Sequence, residues 1–167
     1  VSMLPLTLLA ARKLASLLTT NDFLAQTIAG MAQSAGVAVP LITSGQVALS
    51  SAAREIGDRE IEFNYPRVCV YSSQIKNTQQ EKFRSFSGGI AVVAEIWSSG
   101  NLVDDSDQWI HYYVEALTSI LRANRGDWGD GFLFSGIYDV QLQPPKLGGF
   151  GYVELARMTC GLNVSLI

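Results

Sequence analysis

Between residues 105 and 123 apolar side chains recur at helical spacing, and stretches with the alternation of β-strands stand on either side. Asp105 is placed to cap a helix here, and Gln108 follows three residues later, as in a capping box. A stripe this long must be buried against another apolar surface, so we expect the helix to pack across a sheet. The stripe consists of Ile110, Tyr113, Val114, Leu117, Ile120 and Leu121.

Strand-like sequence occurs in four stretches, at residues 68–71, 86–97, 132–143 and 151–166. β-branched and aromatic residues fill the first, and apolar and polar residues alternate in the last two. Because two strands precede the helix and two follow it, the pattern predicts an α+β fold. We expect a mostly antiparallel four-stranded sheet with one long helix packed on it, plus N-terminal helices.

The N-terminal third is predicted to be helical. Apolar residues share one face over 5–18, and a second helix is expected after a break at residues 20–22, ending at Gly36. Residues 37–60 show no clear period, and a short helix is expected over 50–56 within them.

The length of 167 residues fits a single domain. We predict that an N-terminal helical segment, residues 1–60, packs on the same domain as a core formed by residues 61–167. Only 16% of the residues are charged, against a usual fraction of about 25%. Because so little polar surface is available, we expect other subunits to cover part of the apolar surface.

The net charge of −3 and the pI near 5.1 argue against a protein that wraps DNA through phosphate contacts. The first residues lack the basic region of a signal peptide, and no apolar run approaches the roughly 18 residues of a membrane-spanning helix. We therefore expect a soluble chain that is not exported.

The sequence offers no set of catalytic or metal-binding groups. His111 is the single histidine, and nothing places a nucleophile or an orienting acid beside it. The acidic cluster at 104–107 lacks the spacing of a calcium loop and suits the start of a helix. Cys69 and Cys160 are expected to be buried free thiols, although a single disulfide stays open at this point. We predict no catalytic residues, no cofactor, no metal and no enzymatic activity.

Two short stretches are candidates for contact with other molecules. Trp128 lies in a glycine-rich turn too short to bury a large ring, so it either closes the edge of the core or anchors a partner. Our hypothesis is that Asp127, Trp128 and Asp130 contribute to subunit or partner contact. Lys82 and Arg84 form the main basic cluster, at the end of a hairpin, and are further candidates.

Three segments, at 65–68, 81–88 and 124–131, are joined by a strand, a helix and a closing hairpin. In this pattern the chain from about Tyr65 onward resembles the neck and tail-completion proteins of tailed bacteriophages, and its order of elements resembles tail terminators. The resemblance implies a tail-terminator-like core and a homohexameric, sixfold ring that ends the tail tube and joins the tail to the head connector.

The resemblance also implies partners and a location. The partners would be further copies of the chain, a tail tube or sheath protein and the head–tail connector protein, with DNA passing through the lumen and no membrane involved. The protein would reside in the virion neck, and in the host cytoplasm during assembly. An acidic balance suits this role, because a negative channel wall does not hold DNA.

Other functions remain open on the sequence alone. Within the same class, the chain would be a head–tail connector, an adaptor or another neck component. From a different class, it would be a small non-catalytic module that binds a peptide or ligand on its sheet face. An enzyme using the carboxylates of Asp127 and Asp130 is the least favoured alternative.

Overall fold

A computed structural model of the chain describes residues 4–50, 65–79, 81–100, 103–148 and 151–167, with the backbone alone at 103–107 and 148. The short helix predicted over 50–56 and the domain boundary predicted at residue 60 therefore lie outside the described residues.

The N-terminal segment is helical over 30 residues. Helix α1 spans Leu6–Thr19, a 3-10 turn spans Thr20–Asp22, and helix α2 spans Phe23–Ala35. The turn contains left-handed residues that kink the segment, so α1 and α2 take different directions. Gly36 ends α2 with a φ of 68°, a conformation that glycine adopts without a steric penalty.

Helix α3 spans Val103–Ala123 and carries the long apolar stripe. It begins two residues before the predicted start, which puts Asp105 inside the first turn instead of at the cap. The strands are β1 (Val47–Ala48), β2 (Arg67–Asn77), β3 (Phe86–Gly100), β4 (Gly126–Gly129), β5 (Phe132–Leu142), β6 (Lys146–Gly148) and β7 (Gly151–Leu166).

The seven strands of the described residues belong to one sheet, in the order β1-β2-β3-β7-β5-β4, with β6 also pairing β7. The pairing of β1 with β2 is parallel, and every other pairing is antiparallel. At the centre, all 15 residues of β3 pair with β7, from Phe86 opposite Leu166 to Gly100 opposite Tyr152.

The predicted α+β architecture, with a four-stranded sheet and one long helix, is wrong. The fold is mixed α/β, because within the described part of the chain the sheet has seven strands in a mixed arrangement and the N-terminal segment adds a second long helical element. The three missed strands, β1, β4 and β6, are two to four residues long. Strands this short show no readable alternation, and their pairing is set by the neighbouring long strands.

The helices cover one face of the sheet, and a single apolar core lies between the two layers. Leu14 of α1, Ile28 of α2 and Leu117 of α3 are fully buried there against side chains of the central strands. We call this the helix face. The opposite side, the polar face, carries Glu95 of β3 and Arg157 of β7 directly opposite each other. The helical segment and the sheet thus share one core.

Candidate functional site

Two loops meet at one end of the sheet, on either side of Ser165 of β7. The backbone N–H of Ser165 donates to the carbonyl oxygen of Gly131 at 3.0 Å, which fixes the turn between β4 and β5. The Ser165 hydroxyl donates to Glu81 Oε2 at 2.8 Å, which fixes the loop between β2 and β3. We call this end of the molecule the tip surface, and define it by Lys82, Phe83, Arg84, Asp127, Trp128 and Asp130.

The β2–β3 loop presents an aromatic ring between two cations. Phe83 is 98% exposed and has a φ of 68°. A bulky residue is rarely found in this left-handed region, which costs about 1–2 kcal/mol. Arg84 Nε donates to Glu81 Oε2 at 3.0 Å, whereas Lys82 is exposed and forms no ion pair with any described residue. The loop thus holds a large apolar side chain in solvent at a conformational cost.

The β4–β5 turn is tied to the first helix by Lys13. Its ammonium group donates to the carbonyl oxygen of Trp128 and to Asp130 Oδ2, both at 2.8 Å. Asp127 Oδ1 accepts the backbone N–H of Gly129 at 2.7 Å, closing a local turn. Both carboxylates of the turn therefore hold its shape, and both remain exposed at the surface.

Trp128 packs on the edge of the core. Its indole Nε1 donates to the carbonyl oxygen of Asn124, at the end of α3, at 2.7 Å. Its ring lies 5.3 Å from the ring of Phe134, centroid to centroid, in a tilted arrangement. The side chain is only half-buried, so part of the ring stays on the surface. Contact with the core is thus established, and contact with a partner stays a prediction.

An open groove runs beside Trp128, between α1 and the end of α3, with a volume of about 570 Å³. Leu9 and Leu17 form part of its wall together with the indole. Arg12 and Arg125 also line the groove, and neither forms an ion pair within the part of the chain that the structure describes. The lining of the groove is therefore mixed apolar and polar, and its charged residues, Arg12, Lys13, Arg125 and Asp127, carry a net positive charge.

The polar face holds a buried carboxylate that the sequence analysis gave no role. Glu95 is fully buried, and its Oε1 accepts hydrogen bonds from the Tyr71 hydroxyl and from Arg157 Nε and Nη2, the latter two at 3.2 and 2.9 Å. Burial, followed by the hydrogen bond to Glu95, raises the pKa of Tyr71 to about 12. In the sequence, this cluster is indicated by an acidic residue inside an otherwise apolar strand. Its partners depend on strand register, which the sequence does not reveal.

The remaining reactive side chains do not form a catalytic set among the described residues. Cys69 and Cys160 are both free and buried, and burial raises the pKa of each thiol, which keeps them protonated and weakly nucleophilic. His111 lies exposed on α3. No group of three or more metal-binding side chains occurs in the described residues, and the side chains of the 104–107 cluster lie outside them.

Within the same described part, no helix has both the length and the apolar character needed to cross a bilayer. Comparison with known proteins found that no family model matches the chain and that no curated protein matches it.

Proposed function

We propose that the chain is a structural protein of the neck of a tailed bacteriophage, where it forms a sixfold ring that ends the tail tube and joins the tail to the head connector. Its proposed partners are other copies of itself, a tail tube or sheath protein and the connector protein, with DNA passing through the lumen. The proposed role is not enzymatic. It is exercised in the virion neck, and assembly takes place in the host cytoplasm.

The observation that supports this proposal is the convergence of five candidate contact residues on the tip surface. Lys82 and Arg84 come from one loop, and Asp127, Trp128 and Asp130 come from a turn more than 40 residues later in the chain. Both segments are attached to the same residue of β7. A protein that joins other proteins needs contact residues gathered in this way.

The shape of the subunit also supports a joining role. The central strand β3 has 15 residues and therefore measures about 50 Å from end to end. Phe83 is exposed at the tip surface, and Leu147 of β6 is 80% exposed toward the opposite end. Contiguous apolar patches mark contact surfaces and single exposed apolar side chains are common, so these two residues support the proposal by lying at opposite ends of the subunit. A ring of such subunits, with the strands along its axis, would offer one surface to the tail and another to the head.

The test removes the exposed ring at the tip surface. In Phe83→Gly the left-handed φ becomes unstrained, so the melting temperature should stay the same or rise slightly. Attachment to tails assembled without the wild-type protein should be lost, as seen by electron microscopy and infectivity. The control is Phe23→Ser, because Phe23 is also an exposed phenylalanine and lies on α2, outside the tip surface. Full attachment by Phe83→Gly would contradict the role of the tip surface.

Deleting the gene distinguishes a terminator from a connector. A terminator limits polymerisation of the tube, so its absence should give overlong tubes. Absence of a connector or adaptor should give tails of normal length that are not attached to filled heads. Normal infectious particles in the absence of the gene would exclude both roles.

A second candidate function is favoured by the groove beside Trp128. The groove is open to solvent, and Arg12 and Arg125 in its lining would favour an acidic peptide or carboxylate ligand that lies along the surface. The test is tryptophan fluorescence during titration with peptides that carry glutamate and leucine. Saturable binding that Arg12→Ser abolishes, together with a monomeric chain, would favour this function over the ring.

A further inference from the structure

The tip surface continues into the groove, because Asp127 and Trp128 belong to both. Lys13 lines the groove and donates to Asp130 Oδ2 of the β4–β5 turn at 2.8 Å. Ser165 of β7 joins this turn to the β2–β3 loop through one hydrogen bond to each. The groove, the turn and the loop therefore form one connected region. We call it the basic patch, and define it by the residues of the tip surface together with Glu81, Arg12, Lys13 and Arg125.

Two ion pairs hold the basic patch together. Lys13 of α1 pairs with Asp130 of the β4–β5 turn at 2.8 Å, and the lysine side chain is only 14% exposed. In the β2–β3 loop, Arg84 Nε lies 3.0 Å from Glu81 Oε2. Because each pair is neutral, these four side chains fix the shape of the patch and add nothing to its net charge.

The remaining charges of the basic patch are mostly positive. Lys82, Arg12 and Arg125 are exposed, and none of them forms an ion pair with any described residue. Asp127 is the one further carboxylate in the patch. Three positive charges and one negative charge leave a net charge of +2 on the patch, although the whole chain carries −3. Positive charge is therefore gathered at this end of an acidic protein.

Apolar side chains lie among these cations. Phe83 is 98% exposed and follows Lys82 directly in the β2–β3 loop. Part of the Trp128 ring stays on the surface, and Leu9 and Leu17 line the groove beside it. A surface that combines aromatic side chains with unpaired cations is complementary to a protein surface that combines carboxylates with an apolar pocket.

A nucleic acid fits the basic patch less well. DNA-binding surfaces contact many phosphates, whereas this patch has three cations outside ion pairs and the carboxylate of Asp127 among them. The outside of a duplex also presents phosphates and sugars, which give the Phe83 ring no apolar pocket. An acidic protein surface is therefore the occupant that the charges and the apolar side chains favour together.

We infer that the basic patch docks onto an acidic protein surface at the end of the tail, where carboxylates face Lys82, Arg12 and Arg125 and an apolar pocket receives Phe83. This contact rests on the proposed joining function and names the chemistry of its tail partner. Opposite charges on the two surfaces steer the encounter and raise the rate of attachment.

Charge reversal tests the contact. The purified chain is mixed with tails assembled without it, and the attached fraction is measured by co-sedimentation at successive times. At low ionic strength, Lys82→Glu and Arg12→Glu should each slow attachment about tenfold, because a repulsive charge replaces an attractive one. The wild-type rate should fall as salt is added, because salt screens exposed charges. Both positions are exposed, so the melting temperatures should match the wild type.

A variant that should attach faster excludes a folding defect as the cause. Asp127→Asn removes the carboxylate that opposes the acidic partner, and its amide oxygen can still accept the N–H of Gly129. Attachment should therefore be about threefold faster than in the wild type at low ionic strength. The control is Lys146→Glu, which makes the same change in net charge as Lys82→Glu at an exposed residue of β6. It lies toward the opposite end of the molecule and should attach like the wild type.

The possible failures are distinguishable. Unchanged attachment rates in Lys82→Glu and Arg12→Glu would overturn the acidic docking surface and leave the ring itself in place. Equal slowing by Lys146→Glu would assign the effect to net charge and overturn it as well. Binding of a fluorescent DNA duplex that the reversals abolish, with attachment to tails unchanged, would make the patch a nucleic-acid surface instead. A wild-type chain that attaches to no tails at any ionic strength would overturn the proposed function together with the contact.

Discussion

Truncation of Trp128 separates the role of this side chain in the core from its role in assembly. The ring packs against Phe134, and the indole N–H donates to the carbonyl oxygen of Asn124. Removal of a fully buried tryptophan costs about 3–5 kcal/mol. Because Trp128 is half-buried, we expect about 2 kcal/mol from lost packing in Trp128→Ala. The lost hydrogen bond adds about 1 kcal/mol.

The melting temperature should reflect this loss. For a chain of this size, a change of 1 kcal/mol shifts the melting temperature by roughly 2–4 °C. Trp128→Ala should therefore melt about 6–12 °C below the wild type, on the same basis. Trp128→Phe keeps an aromatic ring against Phe134 but loses the N–H donor and part of the ring volume, so it should cost about 1–2 kcal/mol, less than Trp128→Ala.

The assay is differential scanning calorimetry on dilute, monomeric protein, because assembly would itself raise the melting temperature. The same variants are then tested for ring formation and tail attachment by electron microscopy. If Trp128→Ala has the same melting temperature as the wild type, the contacts of the indole with Phe134 and Asn124 do not stabilise the core. If it loses stability but still joins tails when folded, Trp128 is a core residue and does not anchor a partner.

Three further predictions concern the core and the polar face. Leu117→Asp places a charge in a fully buried position of α3, which costs several kcal/mol. Circular dichroism should therefore show an unfolded or aggregated chain. A variant that melts cooperatively would contradict the packing of α3 described above. Burial raises the pKa of the Cys160 thiol from 9.0 to about 12. The thiol therefore ionises at a lower pH in the unfolded chain than in the folded one, so the free energy of unfolding should fall as the pH rises through this range. Urea titrations should show a smaller fall for Cys160→Ala. Arg157→Met leaves the buried carboxylate of Glu95 with only a neutral donor and should cost about 3 kcal/mol; the double variant with Glu95→Gln should recover much of this loss in urea titrations.

The long elements of the fold were visible in the sequence because their periods extend over many residues. The stripe through Leu117 marks α3, and the alternation in β5 and β7 marks two of the long strands. The architecture was nevertheless predicted wrongly. Strands β1, β4 and β6 are too short to show a period. The parallel pairing of Val47 with Val68 is a contact between distant parts of the sequence, which no local pattern encodes.

The candidate site was predictable only in its parts. Trp128 and Lys82 stood out as unusual residues, but no local pattern indicates that they lie at the same end of the molecule. Their proximity depends on the pairing of β7 with both β3 and β5, which brings Ser165 between the two loops. The cluster around Glu95 depends on register in the same way. Register is a property of the whole sheet and has no local sequence pattern.

The ring is the central claim, and native mass spectrometry of the purified wild-type chain tests it most directly. The subunit mass is 18.1 kDa, so a sixfold ring has a mass of about 109 kDa, six times the subunit mass. We predict one closed species of this mass, and its abundance should increase with protein concentration. In negative-stain micrographs it should appear as a ring. A chain that remains at 18.1 kDa at every concentration, with or without tail tube protein, would contradict the account.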